Sequence, residues 1–228
     1  MKIGILQTGH APDEIRDAIG DYPKLFTQLL DGNGFTFETF PVVDGVFPDS
    51  ATTCDGWLIT GSRHGAYEDH AWIPPLEDLI REIRDTGRPL VGVCFGHQII
   101  AQALGGKVEK FSGGWSVGAT RYTGDAGDVT LNAWHQDQVT QVPEGARVVA
   151  SSPFCENAAL LYGDKIYTVQ AHPEFTAPVV ASLLATRAPG VVPPDLIDAA
   201  HSAVDTPTTA QAEADRMAAL FKGSQNDS

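Results

Sequence analysis

The stretch Pro89-Leu90-Val91-Gly92-Val93-Cys94-Phe95-Gly96-His97-Gln98 decides the fold. Its first half is a short apolar run, the pattern of a strand buried on both faces of a parallel sheet. Its second half opens a helix over Phe95–Leu104, closed by Gly105-Gly106. Cys94 stands at the junction. A sharp strand-to-helix turn pushes one side chain out of the sheet into a strained, exposed position, as in Gly-x-Ser-x-Gly elbows. Gly92 and Gly96 flank Cys94 at the spacing that lets strand and helix approach closely. A helix N-terminus favours thiolate over thiol, and its free N–H groups can receive an oxyanion, each worth about 2.7–4 kcal/mol. The competing reading is an inert buried cysteine in a βα turn, and the paired glycines weigh against it.

Outward from this turn the same alternation recurs. Lys2–Leu6 reads as a strand opening into the loop Gln7-Thr8-Gly9, and Tyr22–Leu30 as a helix stopped by Gly32 and Gly34. Phe35–Val43 is rich in aromatic and β-branched residues, hence a second strand. Gly56–Thr60 is a short buried strand ending in the loop Gly61–Gly65, and Leu76–Arg84 an amphipathic helix. Strands alternating with helices predict an α/β fold whose mostly parallel central sheet is flanked by helices. After Gly106 the texture changes to short strands without helices, near Val117–Thr123, Asp128–Ala133, Arg147–Ala150, Ala158–Tyr162 and Ile166–Gln170. These predict a mixed or antiparallel continuation. Helices return from Ala177, break at Pro189–Pro194 and end with one near Thr209–Phe221; a single domain over 1–222 with a frayed tail, 223–228, is expected.

The net charge of −14 argues against non-specific binding to nucleic acid or to an anionic membrane surface, since both need cationic patches. The N-terminal apolar run Ile3–Leu6 is too short for a signal-peptide core, and no later run approaches membrane-spanning length. Cys54, Cys94 and Cys155 are scattered and odd in number, which predicts reduced thiols and a cytoplasmic setting.

A nucleophilic cysteine needs a base. Gln170-Ala171-His172-Pro173-Glu174 follows a predicted strand, and residues two apart in an extended segment project to one side. His172 and Glu174 can therefore serve one site, Glu174 fixing the imidazole tautomer and stabilising imidazolium. Alone, His-Pro-Glu is a weak signal that also fits a surface turn; its weight comes from combination with the elbow.

With these residues in view, the chain resembles the class I glutamine amidotransferase family over nearly its whole length. The likeness is strongest to stand-alone members similar to γ-glutamyl peptidases and to the amidotransferase domain of GMP synthases. It rests on Gly92–Gln98, on His172-Pro173-Glu174, and on Ile59-Thr60-Gly61-Ser62-Arg63 and Trp134-His135-Gln136-Asp137 in the expected order. The resemblance implies a flavodoxin-like architecture and a catalytic triad of Cys94, His172 and Glu174. It implies backbone oxyanion donors near Gly61 and Ser62, with Phe95, and a substrate pocket in which Gln98, His135 and Asp137 hold the glutamyl head, Asp137 pairing with its α-ammonium. Many relatives carry Gly-Gly-Pro where this chain has Gly61-Ser62-Arg63, and a small polar residue where it has Trp134.

The implied chemistry is cysteine-dependent hydrolysis of a γ-glutamyl amide bond through a thioester, with no cofactor and no metal. Cys94-x-x-His97 and His135-x-Asp137 contain ligand residue types, but no second cysteine pair stands at zinc spacing. Two alternatives remain open: a glutaminase subunit delivering ammonia to a separate synthetase chain, and an inactive fold reused as a binding module. The partner expected in the main reading is a small-molecule γ-glutamyl substrate.

Overall fold

Short runs that are apolar throughout become the centre of the sheet. The computed structural model describes residues 1–223, so the frayed-tail expectation lies, from residue 224 on, outside the described residues. The strands are β1 (Lys2–Leu6), β2 (Thr36–Phe40), β3 (Gly56–Ile59), β4 (Leu90–Val93), β5 (Lys107–Lys110) and β6 (Ser116–Gly124), then β7 (Val129–His135), β8 (Asp137–Gln141), β9 (Ala146–Ser151), β10 (Ala159–Tyr162) and β11 (Ile166–Val169). The helices are α1 (Asp13–Ala18), α2 (Tyr22–Leu29), α3 (Ile73–Asp85), α4 (Phe95–Ala103), α5 (Ala177–Thr186), α6 (Pro194–Ser202) and α7 (Ala210–Gly223).

Nine strands form one sheet in the order β2-β1-β3-β4-β11-β10-β9-β6-β7. The β2-β1-β3-β4-β11 half is parallel, and every later pair is antiparallel. β3, β4 and β11 are buried along their whole length, as strands covered on both faces must be. Alternation along them sorts side chains between two cores. Ile3, Ile5, Leu58, Val91 and Val93 meet Phe26, Leu30, Met217 and Phe221 of α2, its C-cap and α7 on one face. Trp57, Ile59 and Leu90 meet Leu76, Ile80 and Ile83 of α3 and Ile99 and Ile100 of α4 on the other. A third cluster joins α1, α5 and α6 around Ile15, Val180, Leu183 and Ala200.

The predicted α/β class and the parallel-then-antiparallel division both match this architecture. Two local expectations are corrected, and three elements lie outside the sequence reading. The second strand ends at Phe40 rather than Val43, because Pro41 starts a 3₁₀ turn over Val42–Asp44. The third helix starts at Ile73, since Pro74 and Pro75 fit a first helical turn, which needs no N–H partners. Helix α1 is missing from the sequence reading; its six residues bury only Ile15 and give almost no periodicity. Strands β5 and β8 are missing too and pair as a separate two-stranded sheet beside α4. Among the described residues no helix is long and apolar enough to cross a membrane.

Candidate active site

Parallel pairing explains why residues far apart in sequence gather at one edge. Ile59 lies opposite Gly92, and Val93 opposite Val169, so β3, β4 and β11 end side by side. The residues that follow these strands, Gly61, Cys94 and His172, therefore emerge at the carboxyl edge, where open α/β sheets bind ligands.

Cys94 is the only non-glycine described residue with positive φ (52°). Its N–H bonds the Val169 carbonyl at 2.9 Å, and its carbonyl receives Gln98 N–H at 3.1 Å as the first turn of α4 forms. A conformation of this kind costs on the order of 1–3 kcal/mol and persists only when the surroundings enforce it. The two glycines supply the room. A Cβ on Gly92 would lie 2.6 Å from the Gly96 backbone, and one on Gly96 would lie 2.4 Å from the Ile59 carbonyl oxygen. The sulfur lies 3.7 Å from Gln170 Nε2 and 4.0 Å from the Trp134 carbonyl. Cys54 and Cys155 are free thiols as well, but burial pushes them up to about 11 and about 12. His97 is buried and hydrogen-bonds Thr168 at 2.8 Å.

His172 is held from three directions. Its N–H bonds the Asn132 carbonyl at 2.8 Å, its ring stacks on Phe175 at 3.9 Å, and its Nδ1 lies 2.7 Å from Glu174 Oε1. Asn132 also donates to the Phe175 carbonyl at 2.9 Å, locking the stacked partner. Burial disfavours the imidazolium, but the Glu174 carboxylate and the nearby Cys94 sulfur outweigh it and raise His172 to about 10. The expected meeting of His172 with Glu174 is therefore present, by a different route. Residues 172–175 form a turn closed by Phe175 N–H to His172 carbonyl (3.3 Å), not an extended segment, and Pro173 presets that bend.

The loop after β3 is pinned to the loop after β1. Thr8 Oγ1 donates to the carbonyls of Thr60 (2.9 Å) and Gly61 (3.1 Å), and Ser62 Oγ donates to the Thr8 carbonyl at 2.7 Å. With the Gly61 carbonyl turned toward these buried hydroxyls, the Ser62 N–H of the same trans peptide points the opposite way. Phe95 N–H, in the first turn of α4, has no acceptor within the helix. Gly61 lies beside both His172 and Cys94: a Cβ there would lie 2.9 Å from His172 Cε1 and 3.8 Å from Cys94 Cβ. Gly61→Ala must displace either the loop or a ring that Phe175 prevents from recoiling. A misplacement near 1 Å costs about 10²-fold in rate. Steady-state assays are expected to show a loss of that order in kcat with the melting temperature only modestly lowered.

Gln98, His135 and Asp137 converge on the same cleft, a cavity of about 600 Å³ also lined by Cys94, His172, Trp115, Trp134 and Arg187. Gln98 donates to the Asp137 carbonyl (2.9 Å) and to Gln170 Oε1 (3.1 Å), so its amide hydrogens position neighbours and its carbonyl is the group left for a ligand. His135 is fully buried and pushed down to about 3 by burial and by His172, hence neutral. Burial raises the Asp137 carboxyl, which accepts from Tyr67 Oη at 3.2 Å and has no ion-pair partner within 4.0 Å among the described residues. The sequence reading missed Thr8, Thr60, Asn132, Gln170 and Tyr67. Thr8, Thr60 and Gln170 are polar residues just past apolar strands, whereas Asn132 lies mid-strand in β7 and Tyr67 in a loop, where the sequence carries no signal.

The chain matches the model of glutamine amidotransferase class-I over residues 16–183. It belongs to the class I glutamine amidotransferase family. The chain is 33% identical over 181 residues to γ-glutamyl peptidase 4 of Arabidopsis thaliana, covering 72% of each chain. It is also 33% identical to the GMP synthase of Bordetella avium, covering 75% of this chain and 36% of the synthase. Among solved structures, a glutamine amidotransferase from Methylobacillus flagellatus superposes with a TM-score of 0.74 at 21% identity, over 98% of this chain and 92% of the other. That likeness places the fold.

Proposed function

We propose that this protein hydrolyses a γ-glutamyl amide bond through a γ-glutamyl thioester on Cys94, with residues 1–222 acting as one domain. The observation that carries the reading is the pairing of His172 Nδ1 with Glu174 at 2.7 Å beside the strained Cys94 elbow. Glu174 fixes the Nδ1–H tautomer, so the second ring nitrogen serves the sulfur. His172 takes the Cys94 proton, and the sulfur attacks the γ-carbonyl. The oxyanion is received by the Ser62 and Phe95 N–H groups of the Gly61 loop and the helix start. The C–N bond then breaks as His172 returns the proton to the leaving amine. Water, deprotonated by His172, attacks the thioester; glutamate leaves and the thiol is restored. Asp137 and the Gln98 carbonyl receive the α-ammonium, and neutral His135 lines the same pocket.

The substrates expected are γ-glutamyl peptides or amides, in keeping with the γ-glutamyl peptidase relative. A second reading, a glutaminase subunit feeding ammonia to a separate synthetase, draws on the GMP synthase relative. Glutamate release by the isolated chain from glutamine and from a panel of γ-glutamyl peptides separates the two. Turnover of the peptides without a partner is expected, whereas a chain dormant on all of them until a synthetase is added overturns the hydrolase reading.

A further inference from the structure

His64, Glu68 and His70 lie on the segment that carries the chain from the Gly61 loop into α3. Glu68 Oε2 is 2.8 Å from His70 Nε2 and 3.5 Å from His64 Nδ1, and one ligand atom from each of the three lies within 4.8 Å of the others. A tetrahedral ion with bonds of about 2.0–2.1 Å spaces its ligand atoms by about 3.3 Å. The His70–Glu68 and His64–Glu68 separations of 2.8 Å and 3.5 Å bracket that spacing, and the ligand atoms of the two histidines come within 4.8 Å of each other. We propose that these three side chains form a site for a divalent transition-metal ion of the zinc type, with its fourth coordination position open at the rim of the cleft.

The donor set and its support both favour this ion. Two imidazoles and one carboxylate suit zinc, cobalt or nickel, whereas magnesium and calcium take oxygen ligands. The two rings are oriented before any ion arrives: His70 stacks on Trp72 (5.9 Å, 11°), and His64 meets the same indole edge-on at 5.9 Å. Trp72 is in turn packed against Phe95, at 5.5 Å. A turn bonded from Glu68 N–H to the Gly65 carbonyl (3.1 Å) and from His70 N–H to the Glu68 carbonyl (3.0 Å) brings the three residues together. Side-chain exposures of 19% for His64, 34% for His70 and 45% for Glu68 leave a path for an ion from solvent. His64 and Glu68 also line the cleft, and Tyr67 between them holds Asp137. The inference is independent of the hydrolysis proposed above, because its readout is binding.

The test is titration of Co²⁺ into the full chain, both wild type and Cys94→Ala, followed by the visible d–d spectrum and by displacement with Zn²⁺. One saturable equivalent with a tetrahedral spectrum and no sulfur-to-cobalt charge transfer is expected in both proteins. His64→Ala, His70→Ala and Glu68→Gln are each expected to weaken binding about tenfold or more. His201→Ala, on the exposed face of α6, leaves it unchanged. Circular dichroism melts accompany each variant, and Glu68→Gln preserves side-chain volume. Absence of a saturable spectrum overturns the proposal, as does binding that survives the His64→Ala/His70→Ala pair or disappears in Cys94→Ala.

Discussion

Cys94→Ala is expected to abolish glutamate release, with a fall of at least about 10⁴-fold in kcat, because nucleophiles of such triads carry losses of roughly 10⁶-fold. Labelling by a glutamine-analogue electrophile is expected to vanish with it, although Cys54 and Cys155 remain. Both are buried and held as thiols, so intact-mass spectrometry is expected to show one adduct on the wild type and none on the variant. The backbone supplies a second readout that separates catalysis from structure. The positive φ at Cys94 burdens any side chain, alanine included. Cys94→Gly relieves that strain, and at such positions glycine is favoured over alanine by about 1 kcal/mol. Thermal denaturation is therefore expected to rank Cys94→Gly above Cys94→Ala, with both inactive. Glutamate release at the wild-type rate by either variant ends the thioester proposal.

Glu174→Gln is expected to lower kcat by about 10³–10⁴-fold with little change in KM, the scale seen when the carboxylate of a comparable triad is neutralised. The amide keeps the volume of the carboxyl but removes the charge that sustains the His172 imidazolium. The pH dependence gives the sign. In the folded chain His172 is raised from 6.5 to about 10. Its favourable contribution to stability is thus fully present below about pH 6.5 and disappears as pH rises through about 10. With Glu174 neutral, a major cause of that rise is gone, so both the alkaline limb of the rate profile and the alkaline loss of stability move to lower pH. Rate–pH profiles and melting curves of the two proteins between pH 6 and pH 10.5 measure the shift. Superimposable profiles remove Glu174 from its assigned role.

The sequence revealed the parts of the fold that burial controls directly. Leu90–Val93 and Gly56–Ile59 are apolar on both faces, and only a covered parallel sheet accepts such strands. The elbow was legible because glycine at 92 and 96 has a steric cause, visible as contacts near 2.5 Å for any added Cβ. Strand β5 was not, since Lys107-Val108-Glu109-Lys110 buries only Val108 and depends on pairing with a partner 27 or more residues away. The site divides in the same way. Cys94 is legible from its glycine-flanked elbow, and His172 only in combination with it. Thr8 and Asn132 act through hydrogen bonds to loop backbone, and nothing in local pattern distinguishes such residues from ordinary polar ones. The turn at Pro173 shows the limit of period-two reasoning: His172 and Glu174 meet, but the backbone brings them together by bending.

The neighbour relation between β4 and β11 has a consequence for biosynthesis. Val93 and Val169 pair directly although a long stretch of chain separates them, and β11 is filled in between β4 and β10. Closing so long a loop is entropically slow, whereas the β10–β11 hairpin can form locally before it docks. A nascent chain emerging from the ribosome thus displays Cys94 well before His172 has been synthesised. The thiol and its imidazole become neighbours only when that hairpin slots home, so a truncated or stalled product carries the cysteine without the partner assigned to activate it.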